Sequence, residues 1–181
     1  WLNKKSSFLV FISQENLRRA QSCPLGSSSS KTHVIPDCLD FEHLILNAQN
    51  QSPPVKTLCI GSVSNFKEQK QPFALLSLFK RISLLYPSAQ FILAGDGAGI
   101  TACRIYTEKL GLSNVHFPGI LKDMKKFYSR LALYISASRF EGLSMSELEC
   151  LYLKIPMVIP FRGGITDIMK QGEQGFFYPL Q

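Results

Sequence analysis

The sequence predicts an α/β fold: a doubly wound, mainly parallel six-stranded sheet with helices on both faces. Three observations lead there. From residue 57 onward, short apolar runs of strand length recur. Between them lie longer segments whose apolar residues repeat at helical spacing. The two kinds alternate, and alternation returns each strand to the same end of the sheet through a crossover helix, which makes the pairing parallel.

Taken in order, the expected strands are 57–62, 90–94, 114–117, 131–136, 157–159 and 175–178. The expected helices are 72–85, 100–110, 123–130, 145–153 and 166–170. Ahead of them, 7–12 and 32–36 read as brief strands, with a short helix from about Glu15 and a flexible Gly-Ser loop at 26–30. Residues 47–54 (NAQNQSPP) read as a linker. The chain therefore divides into 1–54, a tail and hinge, and 55–181, the sheet domain. A doubly wound sheet binds ligands beyond the carboxyl ends of its strands. The loops so placed are 65–70, 95–97, 118–119, 138–142 and 162–164.

The 181 residues suffice for one sizeable core, and 45% hydrophobic content is ordinary for a globular protein. No apolar run reaches the length of a membrane span, and no signal-peptide pattern opens the chain, which starts at Trp1 and reads as a fragment. The five cysteines are scattered, with no C-x-x-C pair, and fit free thiols in a reducing cytoplasm better than zinc. A net charge of +7 points to anionic company. Its densest cluster, Lys122, Lys125, Lys126 and Arg130, fits a solvated face or a peripheral contact with the inner face of a membrane. No basic-aromatic interleaving supports nucleic acid binding.

The stretch 138–160 (SRFEGLSMSELECLYLKIPMVIP) carries the most information. Ser144 and Glu147 have the S-x-x-E spacing of a capping box, which starts a helix at about Ser144. Its first N–H groups then face the loop Arg139-Phe-Glu-Gly142, a place suited to phosphate. Glu141 lies in that loop. Glu149 lies at the margin of the helix's apolar face, where a carboxylate needs polar partners such as sugar hydroxyls. The same residues also fit a capped helix with one solvated Glu and one loop Glu.

Glu141-Gly142, Glu149, Pro156-Met-Val158 and Gly163-Gly164, in this order and spacing, resemble the donor-site signature of family-4 glycosyltransferases. The resemblance covers about 57–180 and implies the C-terminal, Rossmann-like donor domain of a retaining GT-B enzyme. The preceding Val34-Ile-Pro-Asp-Cys-Leu-Asp40 is similar to the family's domain-junction element, which makes 1–54 the tail of an acceptor domain otherwise missing.

By this resemblance the donor is a nucleoside-diphosphate sugar, held without metal or other cofactor. Asn65-Phe-Lys-Glu-Gln-Lys70 resembles the family's N-F-R-x-x-K element and assigns diphosphate neutralisation to Lys70; counted from Gly61, the commoner pattern reaches Lys67. The expected site comprises Asn65, Lys70, Gly97, Ile120, Leu121, Glu141, Gly142, Leu143, Ser144 and Glu149. Backbone groups near Ile120 and Leu121 hold the base, Glu149 the ribose, and Glu141 the transferred sugar, with Glu141 and Lys70 in the catalytic roles. Ser62 or Asn65 stands where the family carries Arg, Ser144 where it carries Gly, Lys154 where it carries a small residue, and Asp167 where it carries Glu.

The implied activity is hexosyl transfer in glycan, lipopolysaccharide or capsule-type synthesis, with this chain alone binding donor but not transferring it. Two rivals remain. A non-catalytic nucleotide-sugar or partner-binding subunit would share the donor residues. A nicotinamide-dependent oxidoreductase would need Gly95-Asp-Gly-Ala-Gly99 as its fingerprint, but the third Gly falls one place early and no acid ends the next strand.

Overall fold

A computed structural model describes residues 8–22, 31–39, 44 and 57–180. The linker 47–54, the loop 26–30 and the domain boundary drawn at 54 lie outside the described residues. The main sheet has six strands in the order β5-β4-β3-β6-β7-β8, every neighbouring pair parallel. They are β3 (Cys59–Val63), β4 (Gln90–Ala94), β5 (Val115–His116), β6 (Leu133–Ile135), β7 (Met157–Pro160) and β8 (Gly175–Tyr178). The chain winds outward from β3 to β5, then returns to β6 beside β3 and winds the other way. The C-terminal ends of β3 and β6 therefore border the point where winding reverses, where a crevice opens in such sheets.

Four helices cover the two faces. On one, α2 (Pro72–Leu85) and α3 (Ile100–Lys109) bury Leu75, Leu76, Phe79 and Cys103 against Phe91 and Leu93. Phe79 stacks on Phe91 with ring centroids 4.4 Å apart. Pro72 opens α2 in the first turn, where its missing N–H has no helical partner to lose. On the other face, α4 (Met124–Tyr128) and α5 (Met145–Tyr152) bury Phe127, Tyr128 and Cys150 against Tyr134, Met157 and Ile159. Asp123 caps α4, its carboxylate accepting from the Lys126 N–H.

A separate parallel pair, β1 (Phe8–Phe11) with β2 (Lys31–Val34), is linked through α1 (Gln14–Ser22). The start of α1 docks on the main domain: Asp167 accepts from the N–H groups of Gln14 and Glu15. A carboxylate there satisfies two free helical donors and complements the helix dipole.

Two expectations need correction. The helix expected over 166–170 is a single 3-10 turn, Gly164–Asp167. The capping box at α5 is not formed: Ser144 occupies the N-cap, but its hydroxyl meets Ser146, and Glu147 turns away into the core. A buried cation, described below, holds Glu147 more strongly than a backbone N–H would.

Candidate functional site

The loop 64–71 after β3 carries Lys70 in a 3-10 turn, Glu68–Lys70. Its path is unusual: Phe66 and Gln71 have φ of 53° and 46°, the left-handed region that non-glycine residues rarely occupy. Such residues cost about 1–3 kcal/mol each and persist where their surroundings over-determine them. The surroundings are visible here. Ser64 Oγ accepts from the Phe66 N–H at 2.9 Å, and the Phe66 side chain is buried. Gln69 Nε2 donates to the Phe140 carbonyl at 2.7 Å, while the Arg139 N–H donates to the Gln69 carbonyl at 2.8 Å. These bonds tie the Lys70 turn to the Glu141 loop, and Lys70 Nζ donates to Glu141 Oε1.

Gly95 and Gly97 serve this loop. A Cβ at Gly95 would lie 2.0 Å from the Ser64 carbonyl oxygen, and one at Gly97 would lie 1.9 Å from that of Asn65. The glycines after β4 let two backbones touch, which accounts for them without a dinucleotide fingerprint.

The second half of the site follows β6. Ser136, Ser138 and Ser144 are buried polar residues along a loop that must be held from inside. Arg162, two residues beyond β7, does so. Its Nε donates to the Ser138 carbonyl at 3.0 Å and its Nη2 to Ser136 Oγ at 3.0 Å. The same guanidinium grips Glu147 of α5 through two further bonds, 2.7 and 3.2 Å long. The Gly163-Gly164 pair closes the loop from below: the Gly164 N–H donates to the Gly142 carbonyl, and a Cβ at Gly163 would strike the Glu141 carbonyl oxygen at 2.5 Å.

Between these halves lies an open cleft of about 510 Å³. Seven of the expected residues line it: Asn65, Lys70, Ile120, Glu141, Leu143, Ser144 and Glu149. Leu143 to Ser146, at the start of α5, form one wall, so the positive end of that helix faces the opening. Lys70 and Glu141 stand together, and Glu149 stands apart, accepting a hydrogen bond from Tyr128 Oη. Burial beside the Cys150 sulfur and Glu149 raises the Tyr128 phenol well above its ordinary value, so it stays a donor.

Three expected residues do not line the cleft. Gly97 lies under Asn65, Leu121 turns its side chain to a neighbouring pocket, and Gly142 lies against Ile12 and Asn16 of the docked N-terminal unit. Lys67, the competing position for the cation, is exposed and also outside it. Among the described residues no group of three or more His, Cys, Asp or Glu side chains converges, and no helix is long and apolar enough to cross a membrane. Sequence reasoning missed Arg162 and Tyr128, and gave Glu147 a capping role in place of the buried ion pair. The available signal was a second acid, Glu147, within the amphipathic stretch 143–153, and a cation, Arg162, directly after the apolar run 157–161.

A parallel sheet that winds both ways from β3, with a cationic turn after that strand and a helix N-terminus opposite, defines a doubly wound, Rossmann-like α/β domain with a site suited to an anionic ligand. The chain belongs to the family of glycosyl transferases group 1, whose family model matches residues 46–180. Among curated relatives, the putative glycosyltransferase EpsD of Bacillus subtilis is 32% identical, with 99% of this chain and 49% of EpsD covered. The Vi polysaccharide biosynthesis protein VipC/TviE of Salmonella typhi is 30% identical, over 76% of this chain and 24% of its own length. The chain thus spans about half or less of the curated relatives it matches. In fold, it resembles Anabaena HepE solved in complex with UDP and glucose, at a TM-score of 0.82 and 19% identity, over 98% of this chain and 50% of HepE. Sucrose-phosphate synthase from Thermosynechococcus elongatus superimposes with a TM-score of 0.83 at 19% identity, covering 99% of this chain and 47% of the synthase.

Proposed function

We propose that this chain is the donor-binding domain of a retaining, hexosyl-transferring glycosyltransferase, and that the cleft holds a nucleoside-diphosphate sugar without metal. The observation that carries the reading is the pairing of Lys70 with Glu141 in a cleft that has the α5 N-terminus as its wall and Glu149 in its lining. A diphosphate between Lys70 and the helix N-terminus meets one full and one partial positive charge, both fixed before it arrives. Glu149, oriented by Tyr128, accepts from the ribose hydroxyls. Glu141 accepts from hydroxyls of the transferred sugar.

When the diphosphate departs, the charge that develops on it is met by Lys70 and the α5 dipole. Fixed dipoles of this kind are the largest electrostatic contribution in many enzymes, because they need no reorganisation during the reaction. The acceptor hydroxyl is positioned by a second wall, which an acceptor domain preceding this one supplies. Positioning of that kind provides up to about 7–11 kcal/mol of the barrier, so transfer needs that wall as well as the donor cleft. VipC/TviE, a polysaccharide biosynthesis protein, and HepE, solved with UDP-glucose, support a nucleotide-sugar donor and a role in polysaccharide synthesis.

The test is titration calorimetry in chelator with uridine, guanosine and adenosine diphosphate sugars. Saturable binding of at least one is expected. Binding that required added magnesium or manganese would overturn the metal-free reading, and no binding of any donor would overturn the proposal.

A further inference from the structure

A second concavity lies at the β5 edge of the sheet and shares no lining residue with the cleft. It measures about 620 Å³, within the range that encloses a small organic ligand. Ile92, Leu121 and Phe127 form an apolar floor. Arg104 of α3, Lys126 of α4 and Arg130 just beyond α4 bring three cations to it from separate turns of the chain. Among the described residues no acidic residue lines it, and none of the three cations has a carboxylate within 4.0 Å. Asp123, the acid of that segment, is engaged by the Lys126 backbone N–H instead.

Arg104 is also held in place. Its Nη2 donates to the Phe117 carbonyl at 3.0 Å, and its guanidinium carbon lies 5.0 Å from the centre of the Phe117 ring. A guanidinium fixed on both its plane and one edge loses little freedom on binding, and its other N–H groups remain for an oxyanion. Three like charges around one pocket repel one another, and an anion bound there relieves that repulsion. An apolar floor beneath them favours a ligand with a hydrophobic body.

We infer that this pocket binds a phosphoryl group carrying an apolar substituent, at a site separate from the donor cleft. Such chemistry is presented by a soluble phosphate monoester and by an anionic phospholipid headgroup. The inference does not rest on the donor reading of the cleft.

The experiment uses the chain with two probes: phenyl phosphate, followed by calorimetry, and phosphatidylcholine vesicles with or without phosphatidylglycerol, followed by co-sedimentation. Arg104→Gln and Arg130→Gln, both surface substitutions, are compared with Lys70→Ala in the cleft, with circular dichroism as the fold control. Binding of either probe should weaken about tenfold in each pocket variant and persist in Lys70→Ala. It should also weaken with added salt. Phenyl phosphate binding would assign a soluble ligand; binding only to phosphatidylglycerol vesicles would assign a headgroup. Binding of neither probe, binding unchanged in the Arg104→Gln/Arg130→Gln double variant, or binding lost only in Lys70→Ala would overturn the inference.

Discussion

Arg162 and Glu147 form a two-bonded ion pair with only 2% and 0% of their side chains exposed, directly behind the loop that carries Glu141. Neither charge reaches water, so each depends on the other. The guanidinium uses two further donors on Ser136 and Ser138, joining the end of β7, α5 and the loop after β6.

Breaking such a pair leaves a buried charge alone, which costs about 3–5 kcal/mol. Arg162→Met and Glu147→Leu should each lose about that much stability in denaturant titration. The double variant, Arg162→Met with Glu147→Leu, should recover most of it, because apolar replacements of similar volume are close to neutral. Its nucleotide affinity should still be reduced, since Ser136 and Ser138 lose their anchor. A double variant as unstable as the singles would show that the pair is not coupled in this way.

Lys70 and Glu141 should respond in opposite senses to a sugar-free nucleotide. Lys70→Ala removes the cation and should weaken a nucleoside diphosphate by about one to two decades while leaving the bare nucleoside unchanged. Glu141→Gln removes the carboxylate that competes for Lys70, so the diphosphate should bind as well as before or better. The sugar-bearing donor should bind more weakly to the same variant. Lys67→Ala should be silent in both titrations.

Glu149→Ala should weaken nucleotide and nucleotide sugar alike, by about one to two decades, because both carry the ribose. Tyr128→Phe keeps the carboxylate but frees its orientation, so a smaller loss of the same kind should follow. Loss for the nucleotide sugar alone would place Glu149 on the sugar rather than the ribose.

Alkaline pH should destabilise the fold. Burial pushes the thiols of Cys59, Cys103 and Cys150 above their ordinary value of 9.0, and the Arg130 charge only partly offsets this at Cys59. Above about pH 9 the unfolded chain releases these protons while the folded chain keeps them. The folded state then binds more protons, so stability falls as pH rises, by up to about 1.4 kcal/mol per pH unit for each thiol. Chemical denaturation between pH 8 and 10.5 should show this slope, and Cys150→Ala should reduce it.

The sheet was largely legible in the sequence. Strands 90–94 and 175–178 and helix 72–85 fall where periodicity puts them, because each is an uninterrupted apolar or amphipathic run bounded by Pro, Gly or Asp. The weaker places were short or capped elements. Residues 166–170 carry too little apolar surface to sustain a helix, and only a 3-10 turn forms at Gly164–Asp167. At α5 the S-x-x-E pattern marked the right starting residue for a reason that does not operate there.

The chain's pattern by itself determined the alternation of strands and helices, and hence a parallel sheet with its loops gathered at one end. It also determined which short loops carry charge. What only the tertiary structure decided is which charges meet. Lys70 and Glu141 are 71 residues apart, Arg162 and Glu147 lie on different elements, and Asp167 caps a helix that begins 153 residues earlier. Periodicity reports which face of an element is apolar, because burial acts on every residue of that face. A side-chain ion pair acts at one point between two elements, and its partners depend on the winding order and register of the sheet, which local spacing does not encode.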